Sequence, residues 1–99
     1  MNQQDNNGYT ALMWAAVLGN TRCVRKLLKH PDIDGNVQDQ DGQSALIWAV
    51  DKGFSQILRR LLGIKNIDVN IQNNDGFSAL ICGAEQGYIG VVKELLGRK

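Results

Sequence analysis

The chain has 99 residues, 43% of them hydrophobic and 21% charged, with a formal net charge of +1. This is the composition of a folded globular domain, and the near balance of charge lacks the positive excess of a nucleic-acid-binding surface. No apolar run approaches the ~20 residues of a membrane helix and no charged, apolar, small-residue leader opens the chain, so a cytoplasmic or nuclear protein with no membrane contact is expected.

Shifted by 34 residues, the sequence falls on itself twice. Gly8-Tyr9-Thr10-Ala11-Leu12 returns as Gly42-Gln43-Ser44-Ala45-Leu46 and as Gly76-Phe77-Ser78-Ala79-Leu80, and Asn2, Gln4 and Gly19 also have counterparts at Asn36 and Asn70, Gln38 and Gln72, and Gly53 and Gly87. A fixed period of this length marks a stack of units that cannot bury their apolar faces alone. Three units, at about 2–35, 36–69 and 70–99, fill a single domain spanning 1–99.

In chain order, each unit opens on a turn: Asp5-Asn6-Asn7-Gly8, Asp39-Gln40-Asp41-Gly42 and Asn73-Asn74-Asp75-Gly76. Asp or Asn at the first position and Gly at the fourth suit a type I turn, read here as the tip of a tight hairpin. Thr10, Ser44 and Ser78 then stand as N-caps of short helices over 11–18, 45–52 and 79–86, which Gly19, Gly53 and Gly87 end in the left-handed conformation. A second helix follows, at about 21–29, 55–62 and 89–96. Its apolar stripe, Cys23, Val24, Leu27 and Leu28 in the first unit, returns as Ile57, Leu58, Leu61 and Leu62 and as Val91, Val92, Leu95 and Leu96. Helices this short do not persist alone and must be held by their neighbours.

These residues give the chain a family resemblance over its whole length. Thr10-Ala11-Leu12-Met13-Trp14-Ala15-Ala16, Gly19, Cys23-Val24, Leu27-Leu28 and Asp68-Val69-Asn70 resemble the pattern of the ankyrin repeat. The resemblance implies an all-α repeat solenoid: an ankyrin-repeat stack of helix-turn-helix units, with β-hairpin fingers projecting from a curved face. Ala11, Ala45 and Ala79 replace the family's proline, and Met13, Ile47 and Ile81 replace a histidine that braces the loops, so apolar packing has to substitute for its hydrogen bonds. The unit is also one residue longer than the common ~33, with the extra residue in the loop entering each finger, Lys29 to Asp34 in the first unit.

Comparison among the units separates the scaffold from what is free to vary. Variation concentrates at the finger tips and the ends of the first helices, which in ankyrin proteins face the concave groove. Tyr9, Gln40, Gln43, Asp51, Lys52, Asn74, Phe77, Glu85 and Gln86 are therefore the expected surface for a protein partner. Val17 and Leu18 join them as adjacent apolar residues where the other units carry Asp51-Lys52 and Glu85-Gln86. They are either an apolar hot spot or a contact for an upstream element.

The remaining conspicuous residues have plainer readings. Trp14 and Trp48 occupy a core position of the repeat, with each indole N–H expected to reach a partner at the edge. Cys82 takes that place in the third unit, which with Gly83, Gly90 and Gly97 predicts a looser third unit. Cys23 reads as a small core residue, and both thiols as reduced. Arg25, Arg59 and Lys93, with Lys26 and Arg60 beside the first two, form a basic row on the outer helices, read as a solvated face. His30 stands in a loop with no nucleophile or metal-ligand set around it, and no phosphate-binding glycine motif occurs, so neither catalysis, cofactor nor metal is expected. The expected function is a non-catalytic protein-interaction scaffold. The rival is a structural or engineered array, or a piece of a longer one, with no ligand of its own. Only Arg98 and Lys99 look cap-like, so end-to-end self-association accompanies that second reading.

Overall fold

The computed structural model describes residues 2–97; Met1 and the two cap-like residues Arg98 and Lys99 lie outside them. Six helices follow one another as three antiparallel pairs: α1 (Ala11–Leu18) with α2 (Thr21–Leu28), α3 (Ala45–Asp51) with α4 (Ser55–Leu61), and α5 (Ala79–Gln86) with α6 (Ile89–Leu96). The inner helices α1, α3 and α5 pack side by side in one layer, and α2, α4 and α6 in a second.

Local chemistry sets the boundaries. The hydroxyls of Thr10, Ser44 and Ser78 accept from the amides of Met13 (3.2 Å), Ile47 (3.2 Å) and Ile81 (3.4 Å), each satisfying one orphan donor of an inner helix. Gly19, Gly53 and Gly87 follow at φ 70°, 72° and 72°. Conformation is only half of what these glycines supply. A Cβ on Gly19 would stand 2.9 Å from the Phe54 ring, and one on Gly53 3.3 Å from Tyr88, because each aromatic packs down onto the preceding unit's glycine. These rings open α4 and α6 in place of the side-chain cap that Asn20 gives α2 through the Cys23 amide.

The hairpin fingers expected from the resemblance do not form: no strand occurs among the described residues. Each turn closes instead on a pair of backbone bonds, such as Gly42 N–H to Asp39 O (3.0 Å) and Asp39 N–H to Gln43 O (2.9 Å). The carbonyls that a ladder would use are taken by side-chain amides. Gln38 Nε2 donates to Gly42 O (2.8 Å) and across the seam to Gln72 O (3.0 Å), and Gln4 does the same for Gly8 O and Gln38 O. The recurrent glutamine is thus a tie within and between turns. The recurrent asparagine has an equivalent role. Asn2 donates to Asp32 O and accepts from Asp34 N, Asn36 repeats this with Asn66 O and Asp68 N, and so the loop carrying the extra residue is clamped.

The core is centred on the middle unit, which is covered on both sides. Leu46, Ile47, Ala49, Val50, Ile57, Leu58 and Leu61 are all buried. Equivalent positions change with coverage: Leu12 and Leu46 are each 1% exposed, whereas Leu80 is 38% exposed. Met13 and Ile47 pack where the family's histidine would stand, but Ile81 is exposed. Two expectations of core placement fail. Cys23 is exposed, although its counterparts Ile57 and Val91 are buried, because a preceding unit covers the latter two and no described unit covers the first. Trp14 is 43% exposed and Trp48 only half-buried.

Candidate functional site

The turns and the first helices meet in a cluster of rings held by carboxylates. The first residue of each turn bends its own chain: Asp5 Oδ1 accepts from the amides of Asn7 (3.0 Å) and Tyr9 (2.9 Å), Asp39 Oδ1 from Asp41 and Gln43 (both 2.9 Å), and Asn73 Oδ1 from Asp75 (3.0 Å) and Phe77 (2.9 Å). An aspartate leaves a second oxygen free, and both aspartates use it alike. Trp14 Nε1 donates to Asp5 Oδ2 and Trp48 Nε1 to Asp39 Oδ2, each at 2.9 Å. Asparagine has an N–H there instead. Asn73 Nδ2 accordingly donates to Gln43 Oε1 (2.8 Å), and the third unit carries Cys82 where the others carry tryptophan.

With both indoles fixed at one end, Tyr9 fills the space between them. Its ring centroid lies 4.8 Å from that of Trp14 and 5.9 Å from that of Trp48, tilted by 51° and 54°. These are separations and tilts at which aromatic quadrupoles attract. Lys52 Nζ stands 5.7 Å from the Trp48 centroid, within cation–π range. The Tyr9 amide, and after it the Trp14 indole, hold the Asp5 carboxyl below its ordinary value. Burial pushes the Tyr9 phenol up, with the charges of Asp39, Asp41 and Asp5 adding to it, so the ring stays neutral beyond its ordinary range. Burial likewise raises the Cys82 thiol, with smaller contributions from Asp51 and Glu85.

The candidate residues divide into three groups. Tyr9 and Lys52 belong to the ring cluster, together with Trp14 and Trp48, which the sequence assigned to the core. A second group already bonds the adjacent unit: Gln40 Nε2 donates to Asn6 O (2.8 Å), Asn74 Nδ2 to Gln40 O (2.9 Å) and Gln86 Nε2 to Asp51 Oδ1 (2.8 Å), while Gln43 accepts from Asn73. The third group stands apart. Phe77 is half-buried against the core, Glu85 is exposed, Val17 is half-buried, and Leu18, 70% exposed, lines an apolar groove of ≈ 500 Å³ with Trp14, Cys23 and Leu27. The sequence did hold a signal for the tryptophans: Asp5 with Trp14, Asp39 with Trp48 and Asn73 with Cys82 vary together at one spacing.

On the outer layer, Arg59 Nη2 meets Glu94 Oε1 at 2.8 Å, but Arg59 is 68% exposed, so the pair contributes at most about 1 kcal/mol. His30 is exposed in its loop. No helix among the described residues is long and apolar enough to cross a membrane. A family model described as ankyrin repeats in three copies matches residues 1–73 and again 31–99. No curated protein matches the chain.

Proposed function

Because this chain belongs to the ankyrin-repeat family, a family of non-catalytic scaffolds, we propose that it is a protein-interaction module that reads a protein partner with its turn tips and the adjoining ends of its inner helices. The observation that carries this reading is the ring cluster of Tyr9, Trp14 and Trp48 under Lys52. Tryptophan and tyrosine are the side chains that most often dominate binding energy, and rings locked by hydrogen bonds lose little freedom when a partner arrives. Trp14, with 43% of its surface in solvent and its N–H already satisfied, offers apolar area without an unpaired donor. Lys52, over the Trp48 ring, and the half-buried Asp51 next to it at the end of α3 carry charge of both signs, which favours a partner of mixed polarity over a polyanion.

The test is affinity capture from a lysate with three immobilised forms of the protein. Trp14→Ala with Lys52→Glu is expected to abolish the partner that the wild type retains, a loss of tenfold or more in affinity for a central aromatic anchor, on the order of 2 kcal/mol. Arg25→Ala with Arg59→Ala, on the outer helices, is expected to retain it. The same proteins captured by all three forms would remove the reading.

A further inference from the structure

The near balance of charge hides a division between the two layers. The outer helices α2, α4 and α6 carry Arg22, Arg25, Lys26, Arg59, Arg60 and Lys93 against Glu94 alone. The turns and inner helices carry Asp5, Asp39, Asp41, Asp51, Asp75 and Glu85, with Lys52 at the end of α3 as their one cation. On the outer layer the cations crowd onto the first unit. Arg22, Arg25, Lys26 and Lys29 stand three and four residues apart on and just after α2, a spacing at which like charges repel. They alone line a groove of ≈ 260 Å³, and α2 holds no acid to offset them.

The seam between α2 and α4 adds to this repulsion. In the seam between α4 and α6, Arg59 meets Glu94 at 2.8 Å. One period earlier the same two positions hold Arg25 and Arg60, so a cation stands opposite a cation where the second seam has an ion pair. Arg60 also lines a groove of ≈ 540 Å³ with the apolar Leu28, Pro31, Ile33 and Ile64 and a second cation, Lys65; Asp32 is its one acid. Arg59 with Glu94 is the one ion pair among the described residues, so Arg25, Arg60 and Lys65 are exposed and unneutralised.

We infer that this seam binds a phosphorylated, acidic segment of a protein partner, with the phosphate between Arg25 and Arg60. A carboxylate neutralises one guanidinium, as Glu94 does for Arg59. A phosphate monoester carries a charge of about −2 and three acceptor oxygens, enough for two guanidiniums at once. Arg22 and Lys29 attract acidic residues on one side of it, and the groove beside Arg60 receives a neighbouring apolar side chain. No phenylalanine, tyrosine or tryptophan lines either groove, so nothing there stacks a nucleobase. Leu28 and Ile33 are half-buried and Ile64 buried, rather than raised toward a lipid surface. The site lies on the outer layer and shares no residue with the Tyr9, Trp14, Trp48 and Lys52 cluster.

Fluorescence anisotropy tests this with a labelled peptide that holds one phosphoserine between glutamates, and with the same peptide unphosphorylated. The phosphopeptide is expected to bind about tenfold tighter or more, and to weaken as salt is raised. Arg60→Glu is expected to lose about tenfold or more of that affinity. It gives Arg25 the partner that Arg59 already has, so this variant is expected to melt no lower than the wild type. Lys93→Glu makes the same change of charge on α6 and is expected to stay within about threefold of wild-type affinity. Equal affinity for the two peptides, equal losses in the two variants, or a lowered melting temperature in Arg60→Glu would overturn the proposal. So would binding of phosphatidylserine vesicles or single-stranded RNA by a protein that ignores the phosphopeptide. Trp14→Ala with Lys52→Glu is expected to leave phosphopeptide binding intact, so failure here is distinct from failure of the ring-cluster surface.

Discussion

Leu46→Ala is expected to destabilise the protein by about 3 kcal/mol, and Leu80→Ala by about 1 kcal/mol or less, although the two leucines occupy the same position of the same repeat. Leu46 is 1% exposed between two units, and truncating it leaves a cavity whose walls, α1, α3 and α5, are each held by further contacts. Leu80 is 38% exposed on a face that no described unit covers, so its truncation removes partly solvated surface and leaves no closed cavity. For a domain of this size each 1 kcal/mol shifts the melting temperature by roughly 4–8 °C, which puts the two variants on the order of 10 °C apart. Chemical denaturation of both checks the difference. Equal losses would mean that burial is not supplied by the neighbouring unit.

Asp39→Ala ranks next, at about 2–4 kcal/mol, because one buried carboxylate serves three donors. Asp39 is 7% exposed and accepts from the amides of Asp41 and Gln43 and from the Trp48 indole. Alanine leaves all three without that partner. Asp39→Asn separates the two roles. Its Oδ1 can keep the turn, as Asn73 does in the third unit, but its amide group opposes the indole N–H donor-to-donor. The asparagine variant is therefore expected to lose less stability than the alanine variant while releasing Trp48, seen as a change in tryptophan fluorescence. An asparagine variant with unchanged fluorescence would show that the carboxylate does not hold the indole.

Helix positions were legible in the sequence because they are decided locally. The Thr10, Ser44 and Ser78 hydroxyls and the Gly19, Gly53 and Gly87 backbones act within one turn of their own helix, and the observed bounds differ from those read from the sequence by one residue at most. The absence of hairpin arms was not legible: in place of a strand ladder, Gln4 and Gln38 reach across 34 residues to backbone carbonyls of the next turn, which no local reading shows. Cys23 was misplaced by the strength of the repeat itself: equivalence to Ile57 and Val91 says core, whereas burial depends on having a unit on that side. The ring cluster was hidden in a similar way. Reading each position down the three units placed Trp14 and Trp48 with the family's core residue. The bonds to Asp5 and Asp39 emerge only when positions nine apart are read together.

Shared burial between neighbours is the premise on which both the scaffold and its binding surface rest, and amide hydrogen exchange in dilute solution measures it residue by residue. The slowest exchange is expected in α3 and α4 of the doubly covered middle unit, with α5 and α6 exchanging faster despite their matching sequence pattern. Uniform protection along the three units, or the greatest protection in the third, would contradict the account.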